Sequence, residues 1–409
     1  ASSILLIVSF PSWNQPWCAL IALVPWLVAL RDLRPRQAFG WSYLVGLLFF
    51  LGSMAWLIHL RAFAGPLAIL GWLLLCAYLA LYFGVFGWLA HRVVHSPQSI
   101  VHSLTVDRRP WTVDILRMVV ISSTWVAIEY LRSHLLSGCG WNLLGYSQTP
   151  SLSMIQLAGI TGVWGVSWLI AAVNTAVASW LGGQDTRQAR LSVVAACGLL
   201  VGAWWYGQPR LQHAASTNIV KVAVIQGNIP QEEKWDHAMQ STILERYERL
   251  TREAAAQEPQ LIIWPETSVP GFLGLEEQVT RRIQQLAIAT QVPLLVGTPM
   301  ARLRDAIWQQ TNSAVLVSPD GTLQDRYDKL HLVPFGEFIP FESAAPWLRA
   351  ILPPIGDFVP GHEDTVFIAS SMRDDGRRTT DDSSLVSRPS SFLFSTRICF
   401  EDLFPDLAP

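Results

Sequence analysis

The chain has 409 residues, of which 51% are hydrophobic and 15% charged, and its formal net charge is −2. A soluble globular chain carries about 25% charged residues, so a wholly water-soluble protein is excluded. The near-neutral balance also excludes nucleic acid or a strongly acidic surface as the natural partner.

The charge deficit is uneven. Leu, Ala, Val, Gly and Trp dominate up to about residue 207, and from about residue 215 the composition is that of a soluble domain. Two units are therefore expected, a multi-span helical membrane part over 1–210 and a water-soluble part over 211–409. A bilayer core of about 30 Å needs roughly 20 apolar residues in a helix. Stretches near 17–31, 40–60, 66–90, 116–137, 153–181 and 190–207 approach that length, and 4–10 reads as the remnant of one more. Trp41, Trp56, Trp72, Trp88 and Trp180 fall near the ends of these stretches, as an aromatic belt would.

Loop charges set the orientation. Arg31, Arg34 and Arg36, then Arg92, Arg108 and Arg109, then Arg187 and Arg190 lie in alternate loops, whereas the other loops hold little beyond Arg61. By the positive-inside rule the Arg-rich loops are cytoplasmic, and alternation puts the chain after about residue 208 outside the cytoplasm. Glu129 and Arg132 interrupt one span at near-helical spacing. Charges at membrane depth raise a functional question, but a structural pair buried between helices is the expectation here. Of the cysteines, Cys18, Cys76 and Cys197 lie in apolar runs and read as small buried hydrophobes. Their odd number, with Cys139 and Cys399, and the absence of C-x-x-C spacing give no zinc site and no disulfide framework.

In the soluble half, apolar runs alternate with amphipathic stretches. Ile219–Ile225, Leu261–Trp264, Pro293–Gly297 and Ser391–Ile398 read as strands, and Ala314–Val317 with Thr322–Tyr327 as a hairpin around Asp320-Gly321. His237–Ala256 and Glu277–Thr290 carry helical periodicity. Strands and helices in this order predict a layered α/β domain. The polar run 371–391 is expected to be a flexible surface insertion.

In three segments a polar group follows directly on an expected buried strand. Glu266 ends LIIW-P, Lys329 and Glu337 belong to K-L-H-L-V-P-F-G-E, and Cys399 ends SFLFSTRI. Ends of strands are where scaffolds place reactive groups. A thiol with an unperturbed pKa of about 8.5 attacks as thiolate. A carboxylate can take its proton, and an ammonium can stabilise the oxyanion, a contribution of roughly 3–4 kcal/mol for one good donor. The signal is the three motifs together, since each residue alone is commonplace.

WPET, K-x-x-x-V-P-F-G-E and I-C-F-E together resemble the carbon–nitrogen hydrolase (nitrilase) superfamily. With QGNIPQEEKWD at Gln226–Asp236 and the multi-span N-terminal half, the chain is similar to the apolipoprotein N-acyltransferase family over nearly its whole length. The resemblance implies an αββα nitrilase-like sandwich beside the membrane unit. It implies Glu266 as general base, Lys329 as oxyanion stabiliser and Cys399 as nucleophile, with Glu337, Trp235 and Glu401 supporting them or contacting substrate. It further implies a phospholipid acyl donor, a diacylglyceryl apolipoprotein acceptor, a bacterial inner-membrane location with a periplasmic catalytic side, and no cofactor or metal. Phe400 stands where the family often has Tyr, and the chain stops ten residues after Cys399, so by the resemblance both ends are expected to be incomplete. Two other readings remain: a membrane-tethered amidase in which water attacks the thioester, and a transporter or scaffold carrying an inactive hydrolase-like domain.

Overall fold

The computed structural model describes residues 1–95, 111–182, 186–212, 219–230, 233–234, 236–304, 307–352, 356–370, 391–404 and 407. The chain divides into two compact units, Ala1–Ala215 and Ser216–Pro409.

The first unit is helical: α1 (Ser2–Ser9), α2 (Pro16–Ala22), α3 (Val24–Ala29), α4 (Pro35–Ser53), α5 (Pro66–Val94), α6 (Trp111–His134), α7 (Ala158–Leu181) and α8 (Thr186–Gln212), with shorter one-turn pieces between them. Among the described residues, Pro66–Val94, Ala158–Leu181 and Ala189–Leu211 are long and apolar enough to cross a membrane. In lipid there is little hydrophobic force between helices, so close packing of small residues and interhelical hydrogen bonds hold them together. Gly87 of α5 shows the first device: a Cβ there would lie 1.7 Å from Ser42 Oγ of α4. Trp26 shows both, stacking on Phe83 at 5.4 Å between centroids and donating its indole N–H to Ser42 Oγ at 2.9 Å.

The expected span over 17–31 is not one helix. It breaks between α2 and α3, where Pro25 sits in the first turn of α3. Proline removes a donor and clashes with the preceding turn, so the freed backbone groups need partners inside the protein. Asn174 of α7 supplies them. Its Oδ1 accepts the Leu23 N–H at 2.8 Å, and its Nδ2 donates to Ala19 O at 2.8 Å and Ile170 O at 2.9 Å. The stretch at 40–60 likewise ends as a helix at Ser53 and continues as a 3-10 turn over Ala55–Leu60. Glu129 and Arg132 are buried, as expected of a structural pair, but each bonds main chain. Glu129 Oε1 accepts the Leu144 N–H at 2.7 Å, and Arg132 Nη1 donates to Trp141 O at 2.7 Å.

The second unit is built on a five-stranded sheet in the order β1 (Val222–Val224), β2 (Leu261–Ile263), β3 (Leu294–Arg304), β4 (Ile307–Val317), β5 (Leu323–Asp328). β1, β2 and β3 run parallel, and β3–β4–β5 form an antiparallel meander. Side chains alternate across the sheet. Ile262, Leu294, Val296, Val315 and Val317 face α9 (Gln240–Ala255) and α10 (Glu277–Thr290), which contribute Ile243, Leu244, Tyr247, Val279, Ile283 and Leu286. Leu261, Leu295, Ala314, Leu316 and Tyr327 face the opposite way, onto Phe367 and Ala369 of β6 (Phe367–Ser370), which pairs antiparallel with β7 (Ser391–Phe394). The described residues thus give helices, sheet and second sheet in layers, three of the four layers of the nitrilase-like sandwich.

α10 matches its predicted bounds, and Gly321 at φ +86° makes the predicted turn with Asp320 capping Thr322. Three strand expectations change. Ile219–Ile225 is a strand only over Val222–Val224. Ser391–Ile398 is a strand only to Phe394, and β3 and β4 pair over eleven positions, from Leu294↔Val317 to Arg304↔Ile307, a ribbon with no turn dipeptide to announce it. The expected insertion over 371–391 lies outside the described residues but for Ser391.

Replacing Asn174 with Ala strands the buried Leu23 N–H and Ala19 carbonyl. One unsatisfied buried donor costs about 1–3 kcal/mol. Thermal unfolding of Asn174→Ala in detergent micelles is therefore expected to show a clear loss of stability, and an unchanged melting temperature would mean that the helix break is satisfied in another way.

Candidate active site

β2 and β5 run up to the site. β2 ends at Ile263, and Trp264-Pro265 carry the chain to Glu266 at the rim. The turn is possible because Gly297 of β3 lies beneath it: a Cβ on Gly297 would fall 2.2 Å from Pro265 O and 2.7 Å from Glu266 Cα. Gly297 O accepts the N–H groups of Ser268 at 2.8 Å and Val269 at 3.1 Å, fixing the segment after the carboxylate.

Lys329 follows β5 directly. Its N–H donates to Asn312 O at 2.8 Å and its own carbonyl accepts the Gly361 N–H at 2.8 Å, so its main chain is held on both sides. Its side chain is 1% exposed. The ammonium meets Glu337 at 2.9 Å (Oε2) and 3.1 Å (Oε1), and Glu266 Oε1 at 3.4 Å. Burial pulls the Lys329 pKa down, but the two carboxylates outweigh it and hold the group above its ordinary value. Lys329 is thus a permanently charged cation at neutral pH.

Two residues absent from the sequence-based set complete this cluster. Asn312, in the middle of β4 and 2% exposed, donates one amide hydrogen to Glu266 Oε1 at 2.6 Å and the other to Glu337 Oε1 at 2.7 Å. It therefore holds both carboxylates by its side chain and Lys329 by its main chain. Lys234, within the motif already singled out, donates from Nζ to Glu266 O at 3.1 Å. Desolvation lowers the Lys234 pKa, with the Glu266 charge acting the other way. Its sequence signal was its place one residue before Trp235; Trp235 itself lies outside the described residues.

Cys399 opens a 3-10 turn, Cys399–Leu403, with φ +52°, a left-handed conformation rare for a residue with a Cβ. Such strain persists only where the surroundings enforce it. Glu401 does so. It is 1% exposed and its oxygens are filled: Oε1 accepts from Tyr327 Oη at 2.8 Å, Leu330 N at 2.7 Å and His331 N at 3.0 Å, and Oε2 from Ile398 N at 2.8 Å. It ties the cysteine turn to the segment after Lys329, and that filled, buried geometry suits a positioning group rather than one that binds substrate. The His331 ring, 3.8 Å from that of Phe404 and 5.7 Å from that of Phe400, packs across the same junction.

Cys399 itself is exposed. Desolvation around its sulfur and then the Glu266 carboxylate push its thiol above the ordinary value, while Lys329 pulls it down. Glu266, Lys329, Glu337 and Cys399 therefore act on one another electrostatically, although their motifs are spread over more than 130 residues. The arrangement suits proton transfer from a thiol to a carboxylate beside a fixed positive charge, the requirements of acyl transfer through sulfur.

The family model for carbon-nitrogen hydrolase matches residues 221–408. With the layered fold, this defines the second unit as a domain of an enzyme of the carbon–nitrogen hydrolase superfamily. The model for the apolipoprotein N-acyltransferase N-terminal domain matches residues 2–176. Apolipoprotein N-acyltransferase from Geobacter metallireducens is 34% identical over 419 residues, covering 100% of this chain and 73% of the relative. The protein of that name from Methylococcus capsulatus is 29% identical over 98% of this chain and 72% of its own length. The chain belongs to the apolipoprotein N-acyltransferase family. A solved amidase from Nesterenkonia sp. aligns with a TM-score of 0.26 at 17% identity, over 37% of this chain and 52% of its own, an overlap too slight to bear on function.

The electrostatics give a signed expectation for pH. Glu266 raises the Cys399 pKa, so Glu266→Gln should lower the midpoint of alkylation, read on the Cys399 peptide by mass spectrometry across a pH series. Below that midpoint the variant thiol should then alkylate faster than the wild type, even as turnover falls. An unchanged midpoint would show that the carboxylate does not act on this sulfur.

Proposed function

We propose that this chain transfers a fatty acyl group from a membrane phospholipid to the free N-terminal amine of a diacylglyceryl apolipoprotein, through a thioester on Cys399. The observation that carries the proposal is the Lys329 ammonium, buried between Glu266 and Glu337 within electrostatic reach of the Cys399 thiol.

In the first half-reaction Glu266 takes the thiol proton as sulfur attacks the ester carbonyl of the donor. The negative charge leaves Glu266 and appears on the carbonyl oxygen of the tetrahedral intermediate. Before attack, Lys329 is shared by two carboxylates, with the longer contact, 3.4 Å, to Glu266. Protonation of Glu266 weakens that contact at the moment the oxyanion forms, so the ammonium is free to stabilise it. The interaction is stronger in the transition state than in the ground state, which is the condition for it to accelerate the chemistry. Collapse breaks the ester C–O bond, and Glu266-H protonates the departing lysophospholipid alcohol. In the second half-reaction the amine attacks the thioester, Glu266 takes the amine proton, and the amide forms as Cys399 leaves as thiolate and recovers a proton. Glu337 and Asn312 stay in place throughout and position Lys329 and Glu266.

A lipid donor and a lipid-anchored acceptor give the membrane unit its purpose. The Arg asymmetry supports a catalytic unit on the extracytoplasmic side of a bacterial inner membrane.

Intact-mass spectrometry of the protein mixed with phospholipid alone is expected to show an acyl adduct on Cys399. Cys399→Ala should abolish it, and Glu266→Gln should slow its formation by about 10²-fold or more, as loss of a general base does. Lys329→Ala should also block this step. Acylation of Cys399→Ala, or release of free fatty acid with no transfer to an added lipoprotein amine, would contradict the proposal; the second result would favour the hydrolase reading.

A further inference from the structure

We propose that the first unit carries a separate binding site for an anionic phospholipid, in the cleft where the start of α4 meets the end of α5. The cleft has a volume of about 420 Å³ and is lined by Pro35, Arg36, Phe39, Val85 and Trp88. That is within the roughly 300–1,000 Å³ range of ligand sites. The two helices lie close there, since a Cβ on Gly84 would meet the Phe39 ring at 2.8 Å and one on Gly87 would meet Ser42.

Three observations name the occupant. The cleft holds two kinds of wall, a cationic end and an apolar flank. Arg36 lines it, and the Arg92 guanidinium sits 5.0 Å from the centre of the Trp88 ring that also lines it. Both arginines are exposed, and neither forms an ion pair among the described residues. Second, the outer face of α5 that runs away from this end is apolar and exposed at Leu74, Leu81, Val85 and Trp88, so acyl chains have a surface to follow. Third, the helix bearing it is one of those long and apolar enough to span a bilayer, which puts its ends at the depth of headgroups. A tryptophan at such an end belongs to the interfacial belt. Guanidinium pairs phosphate with two hydrogen bonds, and basic pockets between membrane helices select anionic headgroups. A phosphate held by Arg36 and Arg92, with the glycerol against Trp88 and the chains along Phe39 and Val85, fills the whole cleft. A second copy of the chain would leave the two arginines without counter-charges.

Native mass spectrometry of the full chain, released from nanodiscs of equimolar phosphatidylglycerol and phosphatidylcholine, tests the site. Each cation near a lipid surface contributes about a factor of five in affinity, so the wild type should retain phosphatidylglycerol at least about tenfold over phosphatidylcholine. The paired change Arg36→Gln with Arg92→Gln should bring the preference to within about twofold, whereas Arg187→Gln with Arg190→Gln, the same charge change on the same membrane face but outside the cleft, should lower it clearly less. Val85→Trp keeps both charges and fills the cleft, so it should displace the lipid while the protein melts as the wild type does. The proposal is overturned if the Arg36 and Arg92 pair loses no more than the control pair, or if Val85→Trp retains the lipid at wild-type level.

Discussion

An ammonium buried at 1% exposure cannot stand alone, and the catalytic unit is arranged around that constraint. Removing one partner from a buried ion pair typically costs about 3–5 kcal/mol, because the other charge is left without solvent. The Lys329 ammonium therefore requires Glu337 and Glu266, and Asn312 holds both of those carboxylates, so three parts of the fold must meet around it. β2 delivers Glu266, β5 delivers Lys329, β4 delivers Asn312 and the loop after Lys329 folds back to deliver Glu337. The loop's return is fixed by Glu337 Oε2 accepting the Val333 N–H at 2.8 Å. β5 runs parallel to β2 because two antiparallel pairings separate it from β3, so the chain leaves β2 and β5 on the same side of the sheet, with Asn312 of β4 between them.

Cys399 is attached to that cluster by a different carboxylate. Glu401 fills its oxygens with four donors from three segments, and this permits the left-handed backbone at Cys399. One carboxylate, Glu266, meets Asn312, the long Lys329 contact and the Cys399 thiol at its side chain and remains partly exposed, so it faces the sulfur. Glu337 and Glu401 are more fully hydrogen-bonded, each accepting from main-chain N–H as well as from side-chain partners.

Much of this was legible in the sequence. Glu266 follows the buried run of β2, and a polar group stepping off a buried strand is visible without any structure; Lys329 and Cys399 were legible through their motifs, since β5 is largely polar and β7 ends at Phe394. α10 was legible to the residue because Val279, Ile283 and Leu286 repeat at helical spacing. Asn312 was not, because it lies inside a strand, where one polar residue among Gln310, Thr311 and Ser313 carries no mark of facing two carboxylates. The β3–β4 ribbon was hidden for a related reason: its outer half mixes apolar and polar residues without regular alternation and has no Gly or Asn turn to read. The break at Leu23 was masked by composition, since α2 and α3 together are apolar enough to pass for one span, and the residue that stabilises the break, Asn174, is about 150 positions away. Local pattern reports burial well; it does not report which distant polar group a buried one will find.

Coupling between Lys329 and Glu337 tests the arrangement most directly. The rate of acyl adduct formation on Cys399 would be measured for Lys329→Met, for Glu337→Gln and for the two together. If Glu337 acts by holding the Lys329 charge, the double variant should be little worse than Lys329→Met alone, a strongly non-additive result. Losses that simply multiply would mean that the two groups act independently, and that the buried ammonium is not the centre on which the site depends.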